Sequence, residues 1–490
     1  MYCSSLLWGE NVISRSESPP ELSPVEDQLI TAIAACDFFN EGKPIWVARA
    51  PGRLDVMGGN VDYTGGMVLQ GLLREAVWAA VQPRTDDVIR ILNPGAAQFG
   101  WETALELRVG DLGDLPRLQL LCGDTETLRW ARYIVGALHF LECRSRWGSA
   151  GGADIFIASD LPPNKGVSSS AALEIAVLKA ASAARSIALH GVALATAGQW
   201  VENVAVGAAC GIMDQAAIVL GEENHLLPML CQPCHPLPLV RLPPGLQLWG
   251  IDSMAPRSTS DASYEGARAA AFIGYKLICQ REHIDIVPDR SSAIPRSTDA
   301  RWNGYLSNLA PSEFRSRYER WLPESLSGRE FLERAGAHAD PFTRIHPDTE
   351  YPVRAAVRYA SEENLRVQTV RALLEACATG IPDSSFQLIG ELFLQSHAAY
   401  AECGLGSEAC DELVARALEA GLSAAKMTGG GAGGVVAILG RPYDQPAIRR
   451  IAQEYAAARG AVPHQFEGSS DGIDAFAVRS LQLPFRQGAQ

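Results

Sequence analysis

Between Leu161 and Glu174 the chain reads Leu-Pro-Pro-Asn-Lys-Gly-Val-Ser-Ser-Ser-Ala-Ala-Leu-Glu: a rigid approach, one flexible glycine, three hydroxyls, then an alanine-rich run without a helix breaker. The preceding Ala153 to Asp160 alternates as a strand does, and Ala171 to Ala184 favours helix. Ser168, Ser169 and Ser170 therefore fall where unpaired N–H groups and the positive helix end face outward, and an anion belongs there. An ordinary N-cap has a similar composition. The Walker A arrangement, with Lys directly after its last Gly, is absent, so a nucleotide cradle here is expected to work through backbone amides and hydroxyls.

At 490 residues the chain exceeds what one core usually supports, and its 47% hydrophobic residues can fill two domains. Lys plus Arg number 42 against 56 Asp plus Glu, a formal net charge of −14 with no block of like charge. That balance argues against a nucleic-acid surface and says little about small anions. Met1 to Val25 has no basic segment followed by an apolar core, and no stretch is apolar enough to span a bilayer. The expectation is a cytoplasmic protein with no membrane or nucleic-acid partner and a disordered tail over 1–26. The 11 cysteines read as reduced thiols. Cys231-Gln232-Pro233-Cys234-His235 matches a haem-attachment pattern and contains a redox-type pair, yet Pro233, Pro236 and Pro238 forbid the helix that a redox pair opens. A hairpin between His225 to Cys231 and Leu237 to Leu242 is expected instead.

Ile45 to Ala50 reads as a strand followed by the glycine-rich segment Pro51 to Gly66, in which Arg53 supplies a fixed cation and Asp62 an acceptor. This suits a polyhydroxylated ligand, or equally a hairpin loop with a surface ion pair. Asp214, in Gly211-Ile212-Met213-Asp214-Gln215, follows Glu202 by twelve residues. Two separated carboxylates can divide the work of phosphoryl transfer between a base and a Mg²⁺ ligand, while either alone reads as a surface acid or cap. Near the C-terminus Thr428 to Gly434 satisfies a dinucleotide fingerprint literally. It precedes the strand-like Val435 to Leu439 where that fingerprint follows a strand. Close packing of one loop on another is the better reading.

Pro51 to Gly66, Gly166-Val167-Ser168-Ser169-Ser170-Ala171-Ala172 and Thr428 to Gly434 resemble the three ordered motifs of the GHMP kinases. Glu202 and Gly211 to Gln215 point to the galactokinase branch, and Ser263-Tyr264 with Arg268 resembles its sugar-side Ser-x-Tyr element without the spacer. The resemblance implies a two-domain α/β (α+β) GHMP kinase fold with the active site in the inter-domain cleft. On this chain the boundary is expected near Pro244, giving units 27–244 and 245–490. The polar, irregular stretch Ser291 to Glu350 has no role that the sequence assigns. The implied activity uses ATP and Mg²⁺ to phosphorylate the anomeric hydroxyl of a small aldose. Asp214 would take the proton and Arg53 stabilise the attacking oxygen, both lining the sugar pocket. Asn60, Asp62 and Tyr264 would contact the sugar. Gly166, Val167, Ser168, Ser169, Ser170 and Ala171 would cradle ATP, and Ser170 with Glu202 would hold the metal.

Within that branch the chain is similar to the kinase half of the plant-type L-arabinokinases. The carriers are Ala50 to Gly59, Cys231-Gln232-Pro233, Trp249 to Ser253 and Tyr305 to Leu309. Pro256-Arg257 departs from the Arg-His of relatives. Galactokinases have Glu-His where this chain has Gly59-Asn60, a pair that faces the C6 hydroxymethyl of galactose. L-Arabinose is accordingly the expected acceptor, D-galactose the alternative, and a non-catalytic sugar sensor the more distant one.

Overall fold

The computed structural model describes residues 38–123, 126–255, 262–290, 294–476 and 478–482. The expected tail over 1–26 and the Pro256-Arg257 departure lie outside these residues. Two long strands, Pro44–Met57 and Met67–Pro83, pair antiparallel from Met57 opposite Leu69 to Trp46 opposite Val81. Both are buried on nearly every residue, as strands covered on both faces are. Met67–Pro83 is long enough to take two partners on its other edge, His225–Leu230 along its first residues and Ala153–Ser159 along its last. Val88–Leu92 runs parallel to Ala153–Ser159, and Ala104–Arg108 completes that edge. The alanine-rich helix Ser169–Ala184 is buried almost all round and packs on the two long strands.

The first strand continues through Pro51-Gly52-Arg53, where the sequence suggested a loop. A register shift between Pro51 and Arg53 accommodates the proline, as bulges do. A Cβ at Gly52 would stand 2.5 Å from Leu161 Cδ1 and 3.0 Å from the Val167 carbonyl. The missing side chain thus lets the serine loop lie against the strand, where Arg53 N–H donates to that carbonyl at 3.1 Å.

After Arg241 the chain enters a second, antiparallel sheet in the order Ala424–Met427, Val435–Gly440, Gln247–Asp252, Gln465–Glu467. Its last described strand, Arg479–Gln482, returns to the first sheet along Pro44 to Val47. The two halves share an apolar core in which Val56, Met57 and Leu69 meet Val367, Ile389, Phe393 and Leu439. The stretch after Ser291 is built in as well: Trp302, Phe314, Tyr318 and Phe331 pack with the helices Ala262–Arg281 and Val353–Ala376. The expected hairpin forms with shorter strands, His225–Leu230 pairing with His235–Pro236 and Val240–Arg241. Cys231 and Cys234 are free thiols, and burial pushes Cys234 up to about 12, far from a reactive thiolate.

Candidate active site

Ser168 stands in the left-handed region (φ 63°) and launches the helix Ser169–Ala184. Ala172 N–H is the amide that closes on the Ser168 carbonyl, at 2.9 Å. The amides of Ser169, Ser170 and Ala171 precede it and lack a carbonyl four residues back, as first-turn amides do. Beneath this turn Arg53, 1% exposed, spreads its guanidinium between two partners. Nη1 donates to the Gly166 carbonyl at 2.7 Å, while Nε and Nη2 reach Asp214 Oδ1 at 2.9 and 2.7 Å. The other Asp214 oxygen accepts the Ser168 hydroxyl at 2.5 Å. Ser168 was expected to offer its hydroxyl to phosphate; here that hydroxyl orients Asp214, because the left-handed turn directs it inward. Asp214 remains partly exposed, and its carboxylate is fixed by a permanent cation and a hydroxyl.

Asp62 approaches the same centre from the sugar-motif loop. A Cβ at Gly211 would fall 1.8 Å from its Oδ2, so only glycine there lets the carboxylate lie against the backbone. Tyr63 N–H donates to Oδ1 at 2.9 Å and Met213 N–H to Oδ2 at 3.4 Å. Burial, with Asp214 nearby, pushes Asp62 up to about 6, against the pull of Arg268. Tyr264 is buried with its ring edge-on to Tyr63, 6.1 Å between centroids. Arg268 lies over the other part of this aromatic group, 5.0 Å from the Tyr63 ring, and forks onto Asp340 at 2.8 and 2.9 Å. Asp340 thus brings the 291–350 stretch into the wall of the site.

Ser170 donates to Glu202 Oε1 at 3.1 Å, joining the two residues proposed from sequence for the metal. Gln215 bridges Glu202 Oε2 and Glu174 Oε1, each at 2.8 Å. Burial and the nearby Asp214 raise Glu202 to about 7, and burial with Glu202 raises Glu174 well above the usual carboxylate range. Glu174 escaped the sequence reading, although it stands four residues after Ser170 and so on the same helix face.

Asn60 is 3% exposed, in the left-handed region (φ 61°), and neither atom of its amide makes a hydrogen bond of ordinary geometry. The polar group beside it is the Tyr400 hydroxyl, which donates to the Gly429 carbonyl at 2.6 Å. Thr428 locks the same glycine loop onto the first strand: its Oγ1 accepts from Asp55 N–H at 2.7 Å and donates to the Asp55 carbonyl at 3.0 Å. The glycine run is therefore a packing loop between two sheets, in keeping with its place before Val435–Gly440.

Comparison with known proteins agrees with this geometry. The GHMP kinases N terminal domain profile matches residues 132–222, the galactokinase galactose-binding signature 37–83, and the GHMP kinases C terminal profile 371–458. An L-arabinokinase of Arabidopsis thaliana is 34% identical over 96% of this chain, which spans 50% of that protein's length. A galactokinase of Streptomyces coelicolor is 30% identical over 87% of this chain and 92% of its own. The fold is that of the Lactococcus lactis galactokinase solved with galactose, at a TM-score of 0.70 and 20% identity, over 93% of this chain and 100% of that one. With its two sheets, its serine loop over the Arg53–Asp214 pair and these relatives, the chain belongs to the GHMP kinases, in their galactokinase branch.

Proposed function

We propose that the protein is a sugar-1-kinase that transfers the γ-phosphoryl group of ATP to the anomeric hydroxyl of L-arabinose. The observation that carries the chemistry is Asp214, held on one oxygen by Arg53 and on the other by Ser168 at the mouth of the serine loop. Asp214 receives or orients the proton of the attacking hydroxyl, and Arg53 stabilises the charge left on that oxygen. Arg53 also holds the Gly166 carbonyl, so one guanidinium ties the base to the phosphate loop. Asp62 and Tyr264 grip ring hydroxyls, and the amides of Ser169 to Ala171 face the phosphates. Because phosphoryl transfer passes through a loose transition state, alignment and electrostatics supply most of the acceleration.

Mg²⁺ suits the donors present. It binds through one or two carboxylates plus substrate phosphates, and Ser170 and Glu202 offer one hydroxyl and one carboxylate, with a buried Glu174 oxygen lacking a hydrogen bond alongside. When bound, the ion neutralises charge on the phosphates. Ser170 and Glu202 would hold it, and Gln215, the chain neighbour of Asp214, fastens Glu202 at 2.8 Å.

The acceptor reading is supported at Gly59. Loss of a side chain there does not enlarge the pocket, since the Tyr400 hydroxyl occupies the vacated position. No charged pair is then left to hydrogen-bond a hydroxymethyl group, and its absence from a pentose leaves no buried polar group unpaired. The match of residues 37–83 to a galactose-binding signature favours D-galactose as the second reading. The domain division near Pro244 belongs to the same proposal, with Arg479–Gln482 counted in the first unit. Comparing L-arabinose, D-galactose and D-glucose at saturating MgATP tests it: kcat/KM should fall in that order. A galactose preference would remove the arabinose assignment, and no turnover on any aldose would remove the kinase reading.

A further inference from the structure

Lys165 and Asp252 form an ion pair between the halves of the molecule, Nζ to Oδ2 2.8 Å. Lys165 sits between two left-handed residues, Asn164 (φ 59°) and Gly166 (φ 72°), so its side chain leaves a tight turn of the serine loop. Asp252 ends the strand Gln247–Asp252 opposite Val435, the residue that follows the glycine run, and the next amide, Ser253 N–H, donates to Gly434 at 2.8 Å. The pair thus spans from the serine loop to the glycine loop. Two of the loop's hydroxyls are committed elsewhere, Ser168 to Asp214 and Ser170 to Glu202.

We propose that Lys165 is a ligand of the nucleotide polyphosphate, parked on Asp252 until the nucleotide arrives. This rests on the ATP-dependent reading above and replaces the expectation that the cradle works without a lysine. Three properties of the pair suit an exchangeable cation. The Lys165 side chain is 25% exposed against 5% for Asp252, so the ammonium is the partner able to move. Asp252 also accepts Met254 N–H on Oδ1 at 2.8 Å and keeps a partner when the lysine leaves. A polyphosphate offers several negative charges against one carboxylate, and the flexible four-carbon stem of lysine delivers a point charge to whichever is stronger. A mere latch between the halves has a different signature, because breaking it from either end has the same effect.

The test is nucleotide binding without any aldose, titrating ATP, ADP and AMP by calorimetry into wild type, Lys165→Ala, Lys165→Arg and Asp252→Asn. Lys165→Ala should weaken ATP about tenfold or more, as loss of a charged hydrogen bond does, ADP less, and AMP hardly. Lys165→Arg should retain most of the affinity, and Asp252→Asn should bind ATP as tightly as wild type or more tightly. Equal weakening by Lys165→Ala and Asp252→Asn, or unchanged ATP affinity in Lys165→Ala, would overturn the proposal. Since no acceptor is present, these outcomes are separate from the aldose assay: absence of turnover bears on the kinase reading and ATP affinity in Lys165→Ala on the lysine.

Discussion

The hydroxyl of Tyr400 lies 1.9 Å from where the Cβ of any side chain at Gly59 would stand. Asp55 Oδ2 at 2.4 Å and the Gly429 carbonyl at 2.7 Å close the remaining directions. Tyr400 comes from the helix Asp383–Glu402 and Gly429 from the glycine run, so one glycine in the sugar motif is the meeting point of three distant segments. The Tyr359 hydroxyl fastens the same residue, donating to the Gly59 carbonyl at 2.6 Å.

Gly59→Ala is therefore expected to destabilise the fold by about 1–3 kcal/mol, the usual range for overpacking a tight interior. Tyr400→Phe removes the nearest obstacle but leaves the Gly429 carbonyl without its donor. The double variant should lose less than the sum of the single losses in urea unfolding. Strict additivity would show that Tyr400 is not what excludes a side chain there.

Asp214→Asn keeps the shape of the site and deletes the proposed proton acceptor. Turnover should fall by roughly 10²-fold or more, with ATP affinity largely kept. Ser168→Ala removes one of the two groups that aim Asp214 and should lower kcat about tenfold with a small change in the aldose KM. Steady-state kinetics on both variants checks this. An Asp214→Asn variant within a few-fold of wild type would assign the acceptor elsewhere.

Asp62 gives a pH dependence with a defined sign. Its carboxyl is raised from 3.8 to about 6 by burial, so the folded protein holds a proton that the unfolded chain releases between those values. Its contribution to stability is thus largest below about 4 and is lost as pH rises through about 6, by an order of 3 kcal/mol. Asp62→Asn should remove this component. The difference in unfolding free energy between wild type and variant, measured from pH 4 to 7.5, should change across that window. A flat difference would mean that Asp62 is not titrating there.

How much of this was legible in the chain depends on sequence distance. The serine helix, the hairpin after His225 and the joining of Arg53, Asp214, Ser170 and Glu202 follow from local patterns and ordered motifs. Their partners do not. Asp55 was visible only as a motif member, yet it is fully buried and paired at 3.5 Å with the equally buried Lys426, 371 residues away, with Gln70 donating to it at 2.8 Å. A lone lysine before a glycine run reads as an exposed charge, and nothing local announces a buried partner. Tyr400, inside a long helix, and Lys165, in the loop before the serines, were hidden for the same reason. The continuation of the first strand through Pro51 and Gly52 was masked because both residues normally end strands. A bulge and a close approach override that rule here.

The segments that carry the arabinokinase likeness without touching the centre brace the sugar loop from behind. Gln232 Nε2 donates to the Gly65 carbonyl and to Asn308 Oδ1, both at 2.7 Å. Cys231 N–H donates to Gly66 at 3.0 Å, and Ser307 N–H to the Thr64 carbonyl at 3.1 Å, with the Thr64 and Ser307 hydroxyls 2.8 Å apart. Asn364 ties the Ser307 carbonyl to the helix Val353–Ala376 at 2.9 Å. Asp62 rides on the loop held in this way, whereas the serine loop has no part in it. Gln232→Leu, which keeps bulk and removes the donor, should raise the aldose KM several-fold and leave ATP affinity unchanged. Ser307→Ala should act in the same direction more weakly, and Gln232→Asn should restore little because the shorter side chain cannot reach both acceptors. Melting temperature separates positioning from simple support. A lower melting temperature with an unchanged aldose KM would make the brace structural only, while a KM effect at wild-type melting temperature would place Asp62 under its control.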